Sequence, residues 1–323
     1  MNKPTYTRED FTNDNEVRWC PGCGDYAILA ALQRLLPELG LPPEQHVFVS
    51  GIGCAGRLPY YMNAYGFHTI HGRALAVATG LKAMRDELCV WVITGDGDAL
   101  SIGGNHLIHC LRRNVNVNIL LVNNQVYGLT KGQFSPTSQK GQITKTSPQG
   151  VTNQPINPLA LALAAGAGFV ARAVDKDPTE LAAVLKQAYE HPGCSFVEIY
   201  QNCNIFNHGA FDGFSLKSNR SEHTVQLKPG QPLLFGAENE WGLALRGDAL
   251  QRVARQEATE YCHDTSNFLA AMHLAQLTFP EHPVPLGVYY QHARETFALP
   301  HVFKKTAADL PLLYRAKATW QQG

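Results

Sequence analysis

Apolar and β-branched residues gather in five short runs along the first 200 positions, at 46–50, 90–94, 117–122, 169–174 and 195–200. Each run is nearly continuous rather than alternating, the pattern of strands covered on both faces in a parallel sheet. Between them, apolar residues recur at helical spacing over roughly 24–39, 71–87, 102–113, 157–166 and 178–190. Two of these segments carry explicit start signals. Asn157-Pro158 and Asp177-Pro178 each place a capping side chain ahead of a proline at the first helical position, where a missing N–H costs nothing. Strand and helix alternating in this way predict an α/β domain over about 20–203, built on a doubly wound, mainly parallel sheet with right-handed crossovers. Residues 1–19 read as an N-terminal arm and 204–323 as a C-terminal extension, with a helical pattern near 265–277 and a proline-punctuated apolar run at 284–290. Residues 131–155, rich in Gly, Ser, Thr, Gln and Lys, carry no pattern of either kind. A loop of that length within a compact domain is usually functional or disordered.

The 323 residues, 45% hydrophobic and 17% charged, are enough for a large core. The 27 basic and 27 acidic side chains cancel, so no global positive field draws nucleic acid or anionic lipid, and neither partner is expected. The longest apolar stretch, 159–171, is too short to span a bilayer and contains two glycines, so it reads as a buried helix and the turn after it. The start, MNKPTYTREDF, lacks a secretory apolar segment. A chain of this size needs no disulfide staples, so the eight cysteines point to a reducing cytoplasm. Cys89, Cys110, Cys194 and Cys262 lie among apolar or helical residues and read as ordinary buried thiols. Cys20, Cys23, Cys54 and Cys203 differ, each lying in a turn rich in Gly or Asn.

The strongest motif is Gly95-Asp96-Gly97-Asp98, directly after the second run, with Asn124 at the end of the third. Two oxygen ligands then stand at the carboxyl ends of neighbouring strands, where open α/β sheets bind ligands. Mg²⁺ takes six oxygens, which a carboxylate, an amide oxygen, a backbone carbonyl, a water and two diphosphate oxygens would supply. Two other motifs are decoys. Gly51-Ile52-Gly53-Cys54-Ala55-Gly56 matches a dinucleotide fingerprint, but no acidic residue follows about 20 positions on. Trp19-Cys20-Pro21-Gly22-Cys23 is like a redox dithiol motif with Pro and Gly exchanged and no strand before it. A CxxC pair plus two remote cysteines suits zinc or an iron–sulfur cluster. Single third and fourth cysteines, with 30 and then 148 residues intervening, are unlike the paired spacing of structural zinc sites.

GDG followed about 25 residues later by NN resembles the diphosphate signature of thiamine diphosphate enzymes. That resemblance implies metal ligation by Asp96, Asn124 and the Val126 carbonyl, with Gly95, Gly97, Asp98, Gly128 and Leu129 lining the diphosphate. The ordered set WCPGCG, SGIGC, HGRA, GDGD, NNQVYGLTKGQ and NCNIFNHGAF, from about Trp19 to Phe211, resembles the β subunit of the 2-oxoacid:ferredoxin oxidoreductases. The resemblance implies one [4Fe-4S] cluster on Cys20, Cys23, Cys54 and Cys203, and thiamine contacts from Gly53, His71, Gly72 and Arg73. It implies coenzyme A-dependent oxidative decarboxylation of a 2-oxoacid with ferredoxin as acceptor. It also implies a partner α subunit supplying the pyrimidine-binding half, in a paired (αβ)₂ assembly. Arg57 and Lys131 are the candidate cations for the substrate carboxylate. FNHGAF and Pro285-Leu286-Gly287-Val288 are most similar to the 2-oxoglutarate members, whose typical sequence has Asp where this chain has His208. Pyruvate or broad 2-oxoacid use is the alternative, with a thiamine decarboxylase or synthase holding structural zinc, or a non-catalytic cluster-bearing subunit, further off.

Overall fold

The computed structural model describes residues 5–259 and 261–298; the C-terminal part of the expected extension, 299–323, lies outside the described residues. The strands are β1 (His46–Ser50), β2 (Tyr65–His68), β3 (Cys89–Gly95), β4 (Asn118–Asn123), β5 (Phe169–Val174), β6 (Ser195–Tyr200), β7 (Thr224–Leu227), β8 (Leu234–Phe235), β9 (Trp241–Arg246), β10 (Ala249–Ala254) and β11 (Val284–Gln291). Eight form one sheet in the order β2-β1-β3-β4-β6-β5-β11-β7. Its first six strands are mutually parallel; β11 runs antiparallel to β5, and β7 parallel to β11. The predicted parallel core is present, and chain beyond 204 completes its far edge. β8–β10 form a separate antiparallel three-stranded sheet.

Successive strand residues point to opposite faces, and the two cores sort accordingly. Val47, Val49, Val90, Val92, Ile119 and Leu121 join one cluster with helices α2 (Ala74–Met84), α4 (Gly104–Arg113) and α5 (Pro158–Ala164) and the helix Phe268–Ala275. Phe48, Trp91, Ile93, Leu120, Val122 and Val197 join the other, under α1 (Asp25–Leu39) and α6 (Pro178–Glu190). The short α3 (Asp96–Leu100) follows β3 without an intervening loop. Both expected caps form: Asn157 accepts from the Ala160 amide at 3.1 Å and Asp177 from the Glu180 amide at 3.2 Å.

Several expectations need correction. The helix expected at 71–87 begins only at Ala74, because Gly72 sits in a left-handed turn (φ 70°) where an added Cβ would stand 2.5 Å from the Gly103 amide. Cys110 and Cys194 are buried, but Cys89 is half-buried and Cys262 exposed, since Cys262 lies in an isolated β-bridge with Pro232 rather than on a helix face. Of the segment read as an N-terminal arm, on whose packing the sequence made no prediction, Phe11 is completely buried and Trp19 nearly so.

Candidate functional site

After β1 the chain leaves toward β2 at one edge; after β3 it leaves toward β4 on the other side. The crevice between the carboxyl ends of β1 and β3 is therefore the switch point where doubly wound sheets bind ligands. Four predicted site segments meet along this edge: 51–56 after β1, 95–98 after β3, 124–131 after β4 and 201–206 after β6.

Gly53, His71, Gly95, Asp96, Gly97, Asp98, Asn124, Val126, Gly128 and Leu129 all line one pocket in this crevice, together with Tyr127. Of the predicted cofactor residues, Gly72 and Arg73 do not. Arg73 instead donates to the His106 ring at 2.6 Å, and the Gly72 amide points to Asp98. The two aspartates of the motif have different environments. Asp98 is a clamp: Oδ1 accepts from the Ile52 amide (3.1 Å) and the Gly72 amide (2.8 Å), and Oδ2 from the Thr94 hydroxyl (2.7 Å). It ties the turns after β1 and β2 to β3. Asp96 Oδ2 accepts from the hydroxyls of Ser135 and Thr137, both in the polar loop 131–155. Burial raises the Asp96 carboxyl to about 6 even though those hydroxyls and nearby amides pull against it. The Asn124 side-chain oxygen accepts from the Val126 amide at 3.1 Å, leaving it a second lone pair. Tyr127 donates to the Gly97 carbonyl at 3.0 Å, and a Cβ on Gly97 would lie 2.2 Å from its ring. Only glycine fits there.

Cys20, Cys23, Cys54 and Cys203 line a second cavity, of about 210 Å³, with Arg57 and Lys131 on its wall. Cys54, Asn124, Gly128 and Leu129 belong to both cavities, so the two share a wall. A Cβ on Gly128 would be 3.6 Å from the sulfurs of both Cys54 and Cys203. Burial first, then Asp25, Cys203 and Cys20, push the Cys54 thiol up to about 12 against a small opposing pull from Arg57. Burial, then Asp25, raises Cys23 as well. Asp25 is itself pushed up to about 7 by burial, and its Oδ1 is buried with no hydrogen-bond partner. Thiolates here are costly without added positive charge. Among the described residues, no three His, Cys, Asp or Glu groups converge tightly enough to hold a single metal ion.

Sequence reasoning did not single out Ser135, Thr137, Asn123, Tyr127 or Gln201. Gln201 donates to the Cys23 sulfur at 3.2 Å, and Trp19 holds the Cys54 carbonyl at 2.7 Å. Loop 131–155 did stand out by its length, and its buried Ser135, Thr137 and Ser138 account for that.

A switch-point crevice with this motif defines a thiamine pyrophosphate enzyme domain, and residues 51–199 match the family described as thiamine pyrophosphate enzyme, C-terminal TPP binding domain. The chain is 57% identical over 243 residues to the 2-oxoglutarate oxidoreductase subunit KorB of Mycobacterium tuberculosis, covering 75% of this chain and 65% of that one. To the 2-oxoacid:ferredoxin oxidoreductase 1 β subunit of Aeropyrum pernix it is 48% identical, covering 58% and 59%. It thus spans less than two thirds of the length of these relatives. To the 2-oxoglutarate synthase subunit KorB of Methanocaldococcus jannaschii it is 39% identical over 68% of this chain and 77% of that one. A solved 2-oxoglutarate:ferredoxin oxidoreductase from Magnetococcus marinus, with 2-oxoglutarate, coenzyme A and succinyl-CoA bound, superposes with a TM-score of 0.73 at 34% identity, covering 98% of this chain and 93% of the other. The chain belongs to the family of 2-oxoacid:ferredoxin oxidoreductase β subunits.

Proposed function

We propose that this chain is the subunit that binds thiamine diphosphate, Mg²⁺ and one [4Fe-4S] cluster in a coenzyme A-dependent 2-oxoacid oxidoreductase. Its reaction is 2-oxoglutarate plus coenzyme A giving succinyl-CoA, CO₂, a proton and two electrons for ferredoxin. The observation that carries this reading is the shared wall: a diphosphate crevice and a four-cysteine cavity meeting at Cys54, Asn124, Gly128 and Leu129. Thiamine diphosphate, when bound, supplies an electron sink for loss of CO₂.

The residues present suit both groups. Asp96, the Asn124 amide oxygen and the Val126 carbonyl are the ligand types Mg²⁺ takes beside a diphosphate. Gly95 and Gly97 let the backbone come close to the phosphates. Thiols raised by burial, with a partnerless Asp25 oxygen near them, suit a cationic iron core that would draw off their protons. Four cysteines around one cavity of about 210 Å³ give a cluster its thiolate ligands and room to sit. Arg57 and Lys131, which line the four-cysteine cavity and not the diphosphate crevice, are the cations assigned in this reading to the substrate carboxylate.

The names of the relatives favour 2-oxoglutarate over pyruvate. The β-subunit names of the relatives support an α subunit closing the other side of the thiamine held by the α/β unit assigned to 20–203, and the assembly proposed is (αβ)₂. Reduced cysteines suit the cytoplasm; among the described residues no helix is long and apolar enough to cross a membrane.

The test is metal and sulfide analysis of anaerobically purified protein, repeated for Cys203→Ala, with methyl viologen reduction on 2-oxoglutarate against pyruvate. About four iron and four sulfide per chain, lost in the variant, with 2-oxoglutarate preferred, is the expected result. A colourless, zinc-containing wild type refutes it.

A further inference from the structure

An ion pair lies inside the main sheet. Arg172 on β5 donates through Nε to Glu198 Oε2 on β6 at 2.7 Å, with relative exposures of 4% and 0%. Arg172 also donates to the Tyr289 hydroxyl on β11 at 3.0 Å, and its guanidinium lies 5.0 Å from the Tyr200 ring centre. A buried ion pair is weak support for stability, since hydrophobic residues of similar volume usually serve as well. Its other contacts explain it better.

Glu198 Oε1 accepts from Asn123 Nδ2 at 2.7 Å. A carboxylate can only accept, so it fixes which way round the Asn123 amide lies. The amide oxygen then faces the Gln125 amide at 3.2 Å and the Thr137 hydroxyl at 2.9 Å. The single Thr137 hydroxyl proton lies between two acceptors, the Asn123 amide oxygen and Asp96 Oδ2, and is shared by them. Asn123, Thr137 and Asp96 are at most 2% exposed, so water has little access to these contacts. The chain of contacts runs Tyr289–Arg172–Glu198–Asn123–Thr137–Asp96, from the C-terminal extension to the carboxylate at the end of β3.

We propose that the Arg172–Glu198 ion pair is a positioning device for the metal site, acting through Asn123 and Thr137 to hold the Asp96 carboxylate in its binding orientation. The proposal rests on Asp96 being the Mg²⁺ ligand. Outer partners of ligating carboxylates typically change metal affinity by about 10- to 100-fold when removed.

The experiment uses the full chain, purified with its partner subunit. It measures the Mg²⁺ concentration needed for thiamine diphosphate binding, the thiamine diphosphate affinity at saturating Mg²⁺, and thermal stability. Glu198→Gln should raise the Mg²⁺ requirement about 10- to 100-fold while affinity at saturating Mg²⁺ stays near wild type. The double variant Arg172→Met/Glu198→Leu removes the pair without orphaning a charge, although it leaves the buried Asn123 amide without its acceptor, so it should fold with a modest loss of stability and show the same metal defect. Thr137→Val should share that defect and Thr137→Ser should not. If the charge variants fail to fold, Asn123→Leu decides in their place, since it cuts the one link between the ion pair and Thr137 and should show the same Mg²⁺ defect. Folded variants with wild-type Mg²⁺ dependence overturn the proposal, as does Thr137→Val indistinguishable from Thr137→Ser. Wild-type binding that ignores Mg²⁺, or that survives Asp96→Ala, instead overturns the ligand assignment on which the proposal depends.

Discussion

Asp98 offers a perturbation whose size follows from the contacts of one carboxylate. It accepts from the Ile52 amide, the Gly72 amide and the Thr94 hydroxyl, and is 3% exposed. In Asp98→Asn the amide oxygen can still take both backbone donors. The new NH₂ meets Thr94, whose proton can turn to the Gly95 carbonyl 3.4 Å away. What is lost is the difference between a charged and a neutral acceptor, about 1 kcal/mol per backbone bond and ~2 in all. Asp98→Ala instead orphans the two amides at about 1–3 kcal/mol each, roughly 3 in total because Ile52 is only part-buried. Both losses fall on the turns after β1 and β2, so they should open locally. Hydrogen exchange of peptides covering 51–56 and 69–74 reads this directly. Protection there should fall about 30-fold in Asp98→Asn and over 100-fold in Asp98→Ala, while β4 and β6 keep theirs. Equal protection in wild type and Asp98→Ala would mean that the clamp holds nothing. An Asn variant as loose as Ala would show that the geometry of acceptance matters less than the charge.

Gly97→Ala puts a methyl 2.2 Å from the Tyr127 ring, so the ring must leave the crevice wall; the strain should cost about 1–3 kcal/mol in urea unfolding, and Gly97→Ala/Tyr127→Ala should recover most of it. Asp25 gives a pH dependence. Its carboxyl is raised from an ordinary value of 3.8 to about 7 by burial, so between those values the folded protein holds a proton that the unfolded chain has lost. Stability of the metal-free protein should therefore fall as pH rises from about 4 to 7, by roughly 4 kcal/mol at most, and level off above. Asp25→Asn should flatten that slope in denaturation measured across the range, and an unchanged slope would assign it to another group.

The five strands legible in the sequence are those whose two faces are both covered, since continuous burial writes a continuous apolar run. Each expected run overlaps the observed strand with ends within one residue. β2 escaped because Tyr65-Gly66-Phe67-His68 is an edge strand exposed along its whole length, leaving burial no pattern to impose. The run at 284–290 was visible as apolar, but its antiparallel place beside β5 is a long-range pairing that no local period encodes. The site divides the same way. Asp96, Asn124 and the four cysteines stood out because each is an unusual residue in a glycine- or asparagine-rich turn at a strand end. Ser135 and Thr137 did not, because hydroxyls are common in a polar loop and only the fold shows which two reach a buried carboxylate. Asn123 is the sharpest case. It neighbours the motif residue Asn124, yet one faces the crevice and the other lies in the sheet against Glu198. Asn123 is the last residue of β4 and stays in the sheet, while Asn124 already belongs to the turn beyond it, so the same asparagine pair anchors one group in the interior and presents the other to the crevice. Asn124, read from the sequence as a ligand, has beside it a support that the sequence did not reveal, a distinction set by where the strand ends and not by composition.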